Sequence, residues 1–175
     1  MARMTGGTAI VKSLRAYGVD TMFGIPGVQL DYFFNALHDE RNGIRFIQNR
    51  HEQGGGYMAF GYAASSGKVG AYAVVPGPGF LNSSAALSTA YACNSPVMCI
   101  TGQVASDKID RHIGSHHEIN DQLGTIRTLT KWAERMNHPS EGPALVETAF
   151  QELRSGRIRP VGLEASPDVF AMEAD

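Results

Sequence analysis

Apolar positions in this chain follow two rhythms that alternate from end to end. One is helical. Ile10, Leu14 and Tyr17 stand at i, i+4 and i+7 behind a cap at Thr5 or Thr8. Leu30, Phe33, Phe34 and Leu37 stand at i, i+3, i+4 and i+7, and Val146, Ala149, Phe150 and Leu153 repeat the pattern. The other rhythm is a short, mainly apolar run, in most cases bounded by Gly, Pro or Asn. Such runs cover 20–23, 44–48, 69–75, 96–101 and 160–163, with a weaker one over 128–133. Runs of this kind fit strands buried on both faces. Their alternation with helices predicts an α/β fold, a doubly wound parallel sheet with helices on both faces.

Composition narrows the class. The 175 residues fit one domain, and 18% charged against 43% hydrophobic residues is a globular balance. The formal net charge is −2 and no run of Lys or Arg occurs, which argues against nucleic-acid and membrane-surface partners. No apolar stretch approaches the ~20 residues of a membrane span. The N-terminus, Met1-Ala2-Arg3-Met4-Thr5-Gly6-Gly7, lacks the apolar core of a signal peptide, so a cytoplasmic location is expected. Cys93 and Cys99 lie in apolar surroundings without C-x-x-C spacing, and both are expected as buried structural thiols in a reducing compartment.

Candidate chemistry gathers at three strand ends. They carry Gly24-Ile25-Pro26-Gly27, then Arg50-His51-Glu52-Gln53, then Pro76-Gly77-Pro78-Gly79 followed by Phe80-Leu81-Asn82. In a parallel sheet all three line one edge, where open α/β sheets take their ligands. Glu52 stands where a strand ends and a helix over 54–64 begins. The small residues Gly54, Gly55 and Gly56 behind it permit close approach. A first-turn glutamate also complements a helix dipole, which is the purely structural alternative. The Pro76–Gly79 turn is no phosphate fingerprint, because Asn82 stands where G-x-G-x-x-G needs its third glycine. That argues against a generic nucleotide binder. The polar segment 102–122 is too long for an ordinary connection and holds three of the six histidines. His112, His116 and His117 admit three readings: a metal cluster, a proton-handling loop, or a solvated surface loop.

The ordered set of motifs, with Gly61-Tyr62-Ala63, Gly67-Lys68-Val69-Gly70 and Thr101-Gly102-Gln103-Val104 added, closely resembles the pyrimidine-binding (Pyr) domain of thiamine diphosphate enzymes. The resemblance is to the acetolactate synthase-like and 2-oxo acid decarboxylase group, and it runs from about Thr8 to Pro167. It implies an enzyme that decarboxylates or ligates 2-oxo acids, a lyase or a transferase. It implies that Glu52 hydrogen-bonds the aminopyrimidine and thereby promotes proton loss from the thiazolium carbon, which attacks the substrate carbonyl. Such a carboxyl needs a raised pKa. Burial supplies that and the helix N-terminus opposes it, so the shift should depend on bound cofactor. Pro26, Gly27 and Val28 are implied to approach the aminopyrimidine. Gly77, Gly79 and Asn82 are implied to border cofactor and substrate. Gln103 is implied on the substrate side. His116 and His117 precede Glu118 where the synthases carry Phe-Gln before an acid, and decarboxylases of the group often use adjacent histidines as proton relays.

The family holds magnesium and the cofactor's diphosphate with a Gly-Asp-Gly motif that this sequence does not contain. The expected division is therefore a Pyr domain over 1–167 and the start of a linker over 168–175. A diphosphate-binding domain is expected in cis or in trans, with the magnesium and no metal site in this chain. The ending within a linker-like stretch favours a fragment of a longer chain over a natural subunit as the expectation. Association into a homodimer or higher oligomer is expected, through the small-residue face of the helix over 54–64. The alternative from another class is a catalytically silent Pyr-like domain kept for oligomerisation or regulation.

Overall fold

A computed structural model describes residues 3–175; Met1 and Ala2, the start of the N-terminal segment and of the expected domain, lie outside the described residues. The chain runs through a short strand β1 (Met4–Thr5), helix α1 (Gly6–Ala16), β2 (Thr21–Gly24), α2 (Asp31–Asp39) and β3 (Arg45–Gln48). It continues through α3 (Glu52–Ser66), β4 (Gly70–Val74), α4 (Pro78–Ala92) and β5 (Val97–Gly102). It closes with α5 (Gln122–Leu129), β6 (Trp132–Met136), α6 (Gly142–Arg154), β7 (Val161–Ala165), α7 (Pro167–Ala171) and β8 (Glu173–Ala174).

Six strands form one parallel sheet in the order β3-β2-β4-β5-β7-β6. Successive residues of the central strands face opposite sides. Ala71, Ala73, Met98 and Ile100 join a core with Ile10, Leu14, Phe33 and Phe150, from α1, α2 and α6. Tyr72, Val74, Val97 and Cys99 join a second core with Ala59, Phe80, Leu87 and Ile126, from α3, α4 and α5. The doubly wound architecture expected from the pattern is the one observed. Each fully buried aromatic or aliphatic side chain contributes about 1.5–3 kcal/mol, so the two cores dominate stability. The chain leaves β2 for β3 on one side and returns to β4 on the other. The order therefore reverses between β2 and β4, the place where such sheets open a ligand crevice.

Helix starts follow local chemistry. Thr5 caps α1 by accepting the Thr8 N–H at 3.2 Å. Asp121 caps α5, accepting the Gly124 N–H at 2.8 Å, and Pro78 opens α4 at a position where its missing N–H costs nothing. Near the start of β2, Tyr62 and Lys68 donate to Asp20, and the two hydrogen bonds hold that carboxyl down to about 2.

Two expectations need correction. The weak run over 128–133 is displaced: Thr128 and Leu129 finish α5, and the strand is Trp132–Met136, sharing only Trp132 and Ala133 with the run. Its half-polar sequence, Trp-Ala-Glu-Arg-Met, reflects an edge position that buries only Ala133 and Met136. Cys99 is buried as expected, and burial pushes its thiol up to about 12. Cys93 is instead exposed, because it ends α4 where the chain turns through Asn94. Residues 167–174 are folded: α7 buries Val169 and Phe170, and β8 pairs antiparallel with β1. No helix among the described residues is long and apolar enough to cross a membrane.

Candidate functional site

The turns that follow β2, β3 and β4 meet along the carboxyl edge of the sheet. Asn49, buried at the end of β3, donates its amide to the His51 carbonyl at 2.5 Å and shapes the entry to α3. His51 caps that helix, its Nδ1 accepting the Gln53 N–H at 3.3 Å. Glu52 is thereby fixed as the first residue of α3, half-buried. Its Oε2 accepts a hydrogen bond from Asn82 Nδ2 at 3.0 Å, across from the first turns of α4. Glu52 and Asn82, picked from different strand ends, therefore touch. Its Oε1 has no hydrogen-bond partner among the described residues.

The glycines around this acid serve close packing within the chain. A Cβ on Gly27 would stand 2.3 Å from Val75 Cγ1, and one on Gly79 would stand 2.6 Å from Val75 Cγ2 and 3.7 Å from Glu52 Cγ. The first turn, Val75 and the start of α4 thus form one shelf beside the acid. Val28 stands out from it, 64% exposed, and Pro26 is exposed as well. Gly77 adopts φ 58°, a left-handed backbone, and a Cβ there would lie 2.2 Å from the His117 carbonyl oxygen.

That contact brings the 103–121 loop onto the shelf. His116 and His117 stack with ring centroids 3.8 Å apart. Burial and then His116 lower the His117 imidazole below its usual range, while the Glu52 carboxylate pulls it up. Glu52 and His117 thus border one shelf: Gly79 packs beside Glu52, and Gly77 packs beside the His117 carbonyl. Gln29, buried between α2 and the loop, donates to the His116 carbonyl at 3.3 Å. Gln29 Oε1 and His117 Nδ1 are buried without a hydrogen-bond partner. The amide oxygen accepts and the ring nitrogen accepts or donates with its tautomer, so the two fit a polar ligand or bridging water. Glu118 braces the loop by accepting the Ser115 N–H at 2.8 Å, and those backbone donors hold its carboxyl low. His112 lies exposed on the same loop. Among the described residues no three His, Cys, Asp or Glu side chains are grouped to hold a metal ion.

Gln103 stands apart from the shelf. It is buried, its Oε1 accepts the Val104 N–H at 2.7 Å, and its Nε2 faces Glu164 at 3.4 Å. Asn49, Gln29, Gln122 and Glu164 were not singled out in the sequence. None of the four carries a local signal that sets it apart.

The small residues of α3 divide between two roles. Gly55, Gly56, Ala59 and Ala63 are buried, with Gly56 against Ala86 of α4. Gly54 and Gly61 have open space around a would-be Cβ, and Tyr57 and Met58 are exposed near them.

Residues 4–125 match the family described as thiamine pyrophosphate enzyme, N-terminal TPP binding domain. The chain is 39% identical to a probable 2-ketoarginine decarboxylase of Pseudomonas aeruginosa, over 96% of this chain and 30% of that protein. It is 37% identical to a probable acetolactate synthase large subunit of Methanocaldococcus jannaschii, over 98% of this chain and 28% of that protein. Against the acetolactate synthase large subunit of Lactococcus lactis the identity is 33%, over 97% and 29%. The chain thus spans less than a third of the length of these curated relatives.

Proposed function

From the premise that this chain belongs to the thiamine pyrophosphate enzyme family, through its N-terminal TPP binding domain, we propose that it supplies the aminopyrimidine side of a thiamine diphosphate site in an enzyme acting on 2-oxo acids. The observation that carries this is Glu52 at the head of α3, with one carboxylate oxygen engaged by Asn82 and the other unpartnered. A carboxyl held this way keeps a fixed direction and one free oxygen that can share a proton with a ring nitrogen. Pro26, Gly27 and Val28 flank it on one side, Gly77 and Gly79 on the other. When bound, the cofactor supplies the nucleophilic carbon that attacks the 2-oxo acid carbonyl.

This chain's own residues hold and move protons around that event. Glu52 accepts or returns a proton at the ring nitrogen. His117, whose imidazole burial holds below its usual range, takes or gives one on the substrate side, with His116 stacked against it. Gln103 reaches the substrate only if its side chain leaves Glu164. The names of the relatives favour decarboxylation or acetolactate-type ligation, so the reaction is that of a lyase or a transferase.

The diphosphate and its magnesium belong to another domain, in cis or in trans. The missing Gly-Asp-Gly motif and the relatives' greater length support this. The Pyr domain takes in 1–167, and 168–175, folded back against it, leads toward that domain. A homodimer or higher oligomer, in the cytoplasm, completes the site, with the open Gly54 and Gly61 face of α3 as the contact.

The test is reconstitution. The chain alone should turn over no 2-oxo acid and bind thiamine diphosphate weakly, because a diphosphate needs cations to leave water. Added diphosphate-binding domain should restore both. Robust turnover by the 175-residue chain alone would overturn the half-site assignment.

A further inference from the structure

Among the described residues Glu164 is the only fully buried carboxylate, and the chemistry above does not use it. It stands on β7, and its two oxygens face different tasks. Oε1 accepts from Arg135 Nε of the edge strand β6. Oε2 accepts from Gln122 Nε2 at 2.8 Å and faces Gln103 Nε2 at 3.4 Å. Gln103 is the first residue after β5, and Gln122 is the first of α5. One oxygen therefore meets both ends of the 103–121 loop.

Each glutamine turns its other end to the backbone. Gln103 Oε1 accepts the Val104 N–H at 2.7 Å. Gln122 Oε1 accepts the Gly77 N–H at 2.7 Å, and its Nε2 also donates to the Gly102 carbonyl at 2.8 Å. Gly77 is the residue on which the His117 carbonyl rests. A buried carboxylate is tolerated only when its lone pairs are matched. Here the groups that match it are the ones that fix where the loop begins, where it ends, and how it meets the turn after β4.

We propose that Glu164 is a positioning residue for the site: it cinches both ends of the histidine-bearing loop and, through Gln122, sets the Gly77 turn beside Glu52. What the loop then does rests on the thiamine reading. The cinch itself does not, so its test is read in the protein without cofactor.

The Val104 and Gly77 amides report the two ends. Their hydrogen exchange is followed by NMR in the full chain, beside strand amides of β4 as an internal reference. In Glu164→Gln the side-chain amide turns donors toward donors. Both reporter amides should exchange at least about tenfold faster, while β4 amides hold their protection. Glu164→Asp keeps the charge for Arg135 but draws the oxygens back by one methylene; it should show the same paired loss and decides the matter if Glu164→Gln does not fold. Gln122→Met should free Gly77 and leave Val104 protected. Exchange that rises equally at the reporters and across β4 would mark Glu164 as a general core residue and overturn the proposal. So would an unchanged rate at either reporter in Glu164→Asp. A failure of the thiamine reading would leave these exchange rates as they are.

Discussion

Replacing Gly77 by Ala tests the contact that brings the histidine loop to the acid. Two costs add. At φ 58° an L-residue is strained, by about 1–3 kcal/mol. Its Cβ would also stand 2.2 Å from the His117 carbonyl oxygen, a backbone atom that cannot swing aside as a side chain can. Relief requires the loop backbone to retreat by about 1 Å, and overpacking of that kind costs about 1–3 kcal/mol. Gly114 is the control. It has φ 75°, and a Cβ there meets nothing within 4 Å. Gly114→Ala should carry the strain alone, about 1–2 kcal/mol. The contact then adds about 1–3 kcal/mol to the excess of Gly77→Ala over Gly114→Ala, beside the harsher strain of Gly77, whose ψ of −116° lies outside the left-handed helical well. Urea unfolding of both variants reads it as a further fall in midpoint of about 0.5–2 M, given typical slopes for small proteins. The His116 and His117 ring resonances should move in Gly77→Ala and stay in Gly114→Ala. Equal midpoints, with the histidine resonances undisturbed, would refute the contact.

Other outcomes follow from the same geometry. Gly61→Ala should stabilise the chain by about 0.5–1 kcal/mol, since a helical position with open space gains propensity without a clash; a loss in the monomer, measured by urea unfolding, would show that the space is occupied. Stability should also depend on His117. Its folded value lies below the ordinary 6.5, so between the two the unfolded chain binds more protons. The contribution is complete above the ordinary value and is lost as pH falls through the lowered one. The urea midpoint should drop between about pH 7.5 and 5.5, and His117→Asn, which tolerates the left-handed backbone, should flatten that drop. An undiminished drop in the variant would assign it to another group.

Much of this fold is legible because parallel strands bury both faces. The runs at 69–75 and 96–101 are almost wholly apolar, and each is followed by a Pro or Gly that marks the turn. Edge strand β6 escapes that rule, since Arg135 and Glu134 are part of its sequence and only its tertiary partners make it a strand. Helix α7 hides in a short stretch, although Pro167 at its first position is a start signal. Within the site, Glu52 and Asn82 are visible from their places after strands. Their hydrogen bond is not, because 30 residues separate them. Gln122 and Glu164 are less visible still. Nothing local distinguishes a glutamine that ends a loop from one that faces water, and its role appears only when β4, β5 and β7 are brought side by side.

The central claim is that Glu52 is the acid of a thiamine diphosphate site. The most direct measurement is hydrogen–deuterium exchange at the cofactor's thiazolium carbon, in the protein assembled with its diphosphate-binding domain, with Glu52 and with Glu52→Gln. An amide can neither take nor return the proton at the ring nitrogen, so the variant should slow exchange by about 100- to 10,000-fold, the usual range for general acid–base groups. An exchange rate unchanged by the substitution, with cofactor still bound, would contradict the account and remove Glu52 from the mechanism.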